Sequence, residues 1–240
     1  MIIKVKISYN DSANKAYEGV IAWDDSIKTA KPGILIMHMW GGQSEFEADK
    51  ATQLAEMGYV GFAIDLYGKG VRANNPEEAE QLMNNLNDNR PLLLKRINLA
   101  LNALIEHKEV SSSKIGAIGF CFGGKCVLDL ARSGIDIAGV VSFHGLLDPP
   151  IPHPKNKIKS QILILHGWDD PMALPKDVTN LSKELTSYNA DWNIHMYGNT
   201  GHAFTNPNAK FPEKGLFYEP KSNRRAWNSM CYFFDELFGH

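Results

Sequence analysis

The sequence predicts an α/β protein, a doubly wound and mostly parallel sheet preceded by an N-terminal antiparallel hairpin. Three observations predict it. Short aliphatic runs at residues 34–37, 60–64, 115–118, 137–143 and 162–165 carry no polar alternation, as expected of strands covered on both faces. Helical patterns separate those runs, which implies parallel strands joined by right-handed crossovers. Two alternating stretches, 2–8 and 16–23, are split by Asn10-Asp11-Ser12-Ala13-Asn14 and read as a hairpin at a sheet edge.

The elements follow in order. After the hairpin, Lys31-Pro32-Gly33 marks the change of character and leads into the run 34–37. Helices are expected at 45–57, 76–87, 92–106, 122–132 and 176–188, and a further strand at 192–197. A last helix, 224–238, places Trp227, Met230, Cys231, Phe234 and Leu237 on one stripe. No repeat, low-complexity tract or linker divides the 240 residues, so one domain spanning 1–240 is expected.

Composition narrows the function classes. A net charge of -2 gives no electrostatic case for nucleic acid or an anionic membrane, and 44% hydrophobic residues suit a full core. No apolar run approaches a membrane span, and the N-terminus lacks a signal-peptide pattern. Three cysteines argue against a disulfide framework and for a reducing compartment, the cytoplasm by default. His and Cys spacing offers no metal-ligand set.

Gly119-Phe120-Cys121-Phe122-Gly123, between an apolar run and an apolar helix, carries the chemistry. Strand, G-x-C-x-G, helix is a nucleophile elbow with cysteine in the serine position, the mark of the α/β-hydrolase fold. The turn is sharp enough to strain the nucleophile, and its flanking glycines admit the close strand–helix approach. At a helix N-terminus the dipole favours a thiolate. Cys126 and Cys231 fall within helical stripes and read as structural.

Downstream, His166-Gly167-Trp168-Asp169-Asp170-Pro171 follows a strand and supplies an acid. Asp170 takes that place, with its neighbour Asp169 as the alternate. Then 192–197 runs into Gly198-Asn199-Thr200-Gly201-His202-Ala203-Phe204. The order Cys121, Asp170, His202 is that of a hydrolase triad on this fold. Backbone N–H groups of Phe122 and Trp40 are the expected oxyanion donors. His38 and His144 are expected to make structural polar contacts, and His166 to shape its turn. Gly119-x-x-x-x-Gly124-Lys125-Cys126 resembles a phosphate-binding loop but lacks its closing Ser/Thr, so Lys125 reads as the exposed side of the elbow helix.

Together, Gly119–Gly124 in its G-F-C-F-G-G form, the segment with Gly58-Tyr59-Val60 and Asp65-Leu66-Tyr67-Gly68, His166-Gly167 with Asp170, and Gly201-His202-Ala203-Phe204 resemble the dienelactone hydrolase family. The resemblance implies hydrolysis of small-molecule esters or lactones without a cofactor. It assigns Cys121 as nucleophile, His202 as base, Asp170 as its orienter, and Trp40 and Phe122 as oxyanion donors. Well-known members carry a glutamate where Met39 stands and a carboxylate-binding arginine where Asn206 stands, which points away from dienelactone itself. Arg72 is a candidate second carboxylate binder, and Trp168 and Phe204 complete the expected substrate side. The segment 204–223 reads as a flap beside His202 or, equally, as an irregular surface connection. Two readings compete with hydrolysis: an oxidant-sensing thiol protein resolved by Cys126, and a non-catalytic binding module on the same fold.

Overall fold

The structure is a computed structural model that describes residues 1–153 and 156–239. Eight strands form one sheet in the order β1-β2-β4-β3-β5-β6-β7-β8. The chain packs as two compact units, Met1–Ala117 and Ile118–His240. The division falls inside a single strand, β5 (Val110–Phe120), and not in a linker.

In the first unit, β1 (Ile2–Asn10) pairs antiparallel with β2 (Ala16–Asp24), as the alternation predicts. β2 pairs antiparallel with β4 (Val60–Ala63), which pairs parallel with β3 (Lys31–Met37). β3 and β4 are buried at every position, which is why they read as unbroken aliphatic runs. Helix α1 (Glu45–Glu56) starts at a capping box in which Ser44 and Glu47 satisfy each other's backbone N–H groups. Helices α2 (Pro76–Asn87) and α3 (Arg90–Ile105) each begin with an asparagine cap and an early proline.

In the second unit, α4 (Phe122–Arg132) follows β5, and β6 (Gly139–Phe143), β7 (Gln161–Gly167) and β8 (Trp192–Tyr197) pair in parallel. Helix α5 (Pro175–Ser187) joins β7 to β8. The closing helix α6 (Pro220–Phe238) buries Ala226, Met230, Phe233, Phe234 and Phe238. That face is rotated from the expected stripe, so Trp227 and Leu237 lie at its margins.

Segment 204–223 is the clearest departure. It is built, with a short antiparallel pair β9 (Lys210–Phe211) and β10 (Leu216–Phe217), a 3-10 turn between them and the first turn of α6. Its hairpin braces the catalytic-histidine candidate: the His202 N–H donates to Gly215 O at 2.7 Å, and the Phe217 N–H donates to His202 O at 3.2 Å. A brace bonded to the backbone it flanks does not read as a flap.

Candidate active site

Cys121 stands where β5 turns into α4, with φ 55° and ψ −115°. A non-glycine residue there is strained by roughly 1–3 kcal/mol, and persists only where its surroundings over-determine it. The surroundings do. Its N–H donates both to Phe143 O at 3.0 Å and to His144 Nδ1 at 3.2 Å, while its C=O accepts from Gly124 at 3.0 Å. Gly119 lets the helix come this close: a Cβ there would lie 2.0 Å from Gly123 O. Cys121 is 8% exposed and His202 is buried. The Phe122 N–H, at the first position of α4, has no acceptor within its own helix.

His202, Asp170 and Cys121 belong to the same unit. His202 Nδ1 and Asp170 Oδ2 lie 2.8 Å apart, both side chains buried, with the N–H donating to the carboxylate. The other oxygen, Oδ1, accepts from the Met172 N–H at 2.8 Å. Asp169 faces elsewhere. Its Oδ2 accepts from the Thr200 N–H at 3.2 Å, so it ties the acid loop to the histidine loop by backbone and not through the imidazole. Of the two aspartates, only Asp170 reaches His202 among the described residues.

The far nitrogen of His202, Nε2, is buried and makes no formed hydrogen bond among the described residues. Burial opposes charge on this ring, yet the Cys121 sulfur and the Asp170 carboxylate outweigh it and raise the imidazole from 6.5 to about 10. Such a ring holds a proton at neutral pH. His166 shapes its turn as expected, donating through Nε2 to Ala173 O at 2.8 Å; burial lowers it, so it stays neutral beside Asp170.

In the first unit, the loop after β3 is fixed by its own neighbours. His38 Nδ1 donates to Met39 O at 2.6 Å and its Nε2 accepts from Leu66 at 3.2 Å. Buried Glu47 accepts from the Met39 N–H at 3.2 Å, and the Tyr67 hydroxyl donates to Trp40 O at 2.7 Å. These bonds hold the peptides on either side of the Trp40 N–H. Glu47 is not among the residues expected from the sequence, though a Ser44-x-x-Glu47 capping pattern could have found it; its burial pushes its carboxyl up.

A model of the dienelactone hydrolase family matches residues 18–238. The chain belongs to that family. Two solved structures match it nearly end to end. One is m3DLH, 32% identical with a TM-score of 0.94, covering 99% of each chain. The other is the dienelactone hydrolase-like promiscuous phosphotriesterase P91 from metagenomic libraries, 31% identical with a TM-score of 0.93, covering 98% of each. The probable 2-oxo-3-(5-oxofuran-2-ylidene)propanoate lactonase of Bradyrhizobium sp is 27% identical over 213 residues, 84% of this chain and 82% of that protein. As a member of the dienelactone hydrolase family, the chain is an ester or lactone hydrolase.

Several expected substrate-side residues of this family member have other work. Arg72 is engaged at every nitrogen: Nε and Nη2 hold Gln43 O and Oε1, the latter at 2.8 Å, and Nη1 meets Val71 O at 2.6 Å and Asp65 at 3.3 Å. It clamps the 38–43 loop and is not a spare guanidinium for a substrate carboxylate. Phe204 is fully buried, packed edge-on against His144 and Tyr197, so it supports the site from the core and does not line it. Asn206 accepts the Asn208 N–H at 3.0 Å through its side chain and shapes a turn. Trp168 is half exposed and Met39 half-buried, as a substrate-facing role would need.

Lys125 also differs from its reading. It is buried and paired with Asp148 at 2.8 Å, and is not a solvated face of α4. Gly124 serves packing: a Cβ there would lie 2.6 Å from Gly145 Cα. Cys126 is buried in α4, and burial raises the Cys231 thiol to about 11, the behaviour of structural cysteines.

Proposed function

We propose that this chain hydrolyses small esters and lactones through a Cys121–His202–Asp170 triad and an acyl-thioester intermediate. The observation that carries the reading is a strained, barely exposed cysteine whose sulfur acts on the one ring nitrogen left over after His202 has bonded Asp170. The thiol proton resides on His202 Nε2, and the thiolate attacks the ester carbonyl. The carbonyl electron pair moves onto oxygen, which the Phe122 N–H stabilises, with Trp40 as the second donor on the sequence pattern. The oxyanion collapses, the C–O bond breaks, and the imidazolium returns its proton to the leaving alkoxide. A water then gives its proton to His202 and attacks the thioester; the second collapse expels the sulfur and releases the acid. Asp170 holds the tautomer and stabilises the imidazolium.

Because thiolate leaves a tetrahedral carbon easily, the chemistry suits activated esters and strained lactones more than amides. Met39 cannot accept a proton, so His202 alone activates Cys121. The lactonase name of the Bradyrhizobium relative fits the same class. Three free cysteines fit action in a reducing compartment such as the cytoplasm. The test is turnover of p-nitrophenyl acetate and a lactone panel by wild type, Cys121→Ala, His202→Ala and Asp170→Asn. Loss in all three supports the reading, and full turnover by Cys121→Ala overturns it.

A further inference from the structure

A third buried imidazole, His144, follows β6 directly and has no part in the triad. Three features set it apart from a space-filling histidine. Its backbone is strained, with φ 38°, and is pinned by its N–H donating to Leu165 O at 2.9 Å. Its two ring nitrogens serve two different loops: Nδ1 accepts the Cys121 N–H at 3.2 Å, and Nε2 lies 2.7 Å from the Thr205 hydroxyl. Its ring stands edge-on to that of His202, centroids 5.0 Å apart at 67°.

We infer that His144 is a positioning residue for hydrolysis, a strut that holds the Cys121 backbone and the loop bearing His202 at a fixed separation. Thr205 lies three residues past His202, across the strained Ala203 at φ 58°. The ring therefore grips the nucleophile's own amide on one side and the histidine loop on the other. Nδ1 must accept from an N–H, so the proton sits on Nε2 and is donated to Thr205. Only the neutral form can do both.

The environment keeps it neutral. Burial, followed by repulsion from His202 and His166, holds His144 well below the ordinary range. The titratable groups around the pair are Cys121, His166 and Asp170, and of the three imidazoles only His202 takes a proton. A phenylalanine or leucine would fill the space but tie neither loop.

The role rests on the triad reading, and one experiment separates the two. Thr205→Val, Thr205→Ser, His144→Asn and Cys121→Ala are compared for kcat, KM, and the pH dependence of Cys121 alkylation by iodoacetamide, with thermal melts alongside. A displacement well under 1 Å at reacting atoms suffices for about a 10-fold loss. Thr205→Val is expected to lower kcat about 10- to 100-fold with KM little changed, and to move the alkylation limb to higher pH. Thr205→Ser, which keeps the hydroxyl, restores both. His144→Asn keeps an acceptor for the Cys121 amide but loses Thr205, and matches Thr205→Val. If Thr205→Val leaves kcat and the alkylation limb as in wild type while Cys121→Ala is inactive, the strut is refuted, even where the melting temperature falls. If Cys121→Ala retains full turnover, the triad reading fails and the strut falls with it.

Discussion

Helix α4 carries two buried polar networks, and they differ in one respect that matters. Along one face, Lys125, Asp129 and Arg132 are all buried; Arg132 holds both oxygens of Glu184 at 2.8 Å, Leu147 O at 3.0 Å and Asp129 at 3.4 Å. At its N-terminus, Cys121 and His202 are equally buried, but Nε2 of His202 has no closed partner among the described residues and Cys121 is strained. The first network is complete. The second is complete except at the atom facing the nucleophile. Buried charge alone does not distinguish the two ends; an unmade hydrogen bond beside a strained backbone does.

Substitutions at the two ends should therefore fail in different ways. Cys121→Ala is expected to reduce ester turnover to background with the fold intact, checked by steady-state kinetics and circular dichroism. Asp170→Asn, which reverses the tautomer demand on His202, should cost about 10³–10⁴ in kcat. Arg132→Met removes the guanidinium that holds both oxygens of Glu184, a loss of about 3–5 kcal/mol readable by urea unfolding. The folded fraction of that variant should retain its kcat. A large kcat loss in folded Arg132→Met would erase the distinction between the networks.

Titration sharpens the contrast. His202 is raised to about 10 in the folded protein, so its pairing stabilises fully below its unfolded value near 6.5 and is lost as pH rises towards 10. The stability gap between wild type and His202→Gln should narrow over that window. His38, lowered to about 4 mainly by burial, behaves in the opposite sense. Its neutral packing stabilises above 6.5 and is lost as pH falls towards 4, worth roughly 3 kcal/mol. Unfolding midpoints between pH 4 and 10 check both directions. The smallest expected effect is at the elbow: Cys121→Gly should be about 1 kcal/mol more stable than Cys121→Ala, because glycine tolerates φ 55°.

Much of this arrangement is legible in the sequence where local geometry sets it. The bounds of α2, α4 and β8 coincide with their patterns, because capping residues and glycines mark them. The order of Cys121, Asp170 and His202 follows from strand ends along the chain. What is not legible depends on distant partners. Lys125 is buried because Asp148, 23 residues later, meets it. The β9–β10 hairpin has two-residue strands, too short for any period to register. His144 appears to the sequence as a lone histidine after an apolar run. Only the neighbouring ends of β5, β6 and β7 bring it against the Cys121 backbone.

The most direct test is to quench turnover of a slow ester in acid and map the acylated peptide by mass spectrometry. An acyl mass on the peptide bearing Cys121, formed and lost at rates compatible with kcat, is the expected result. Turnover at the normal rate with the label on another residue, or with none on Cys121, would contradict it.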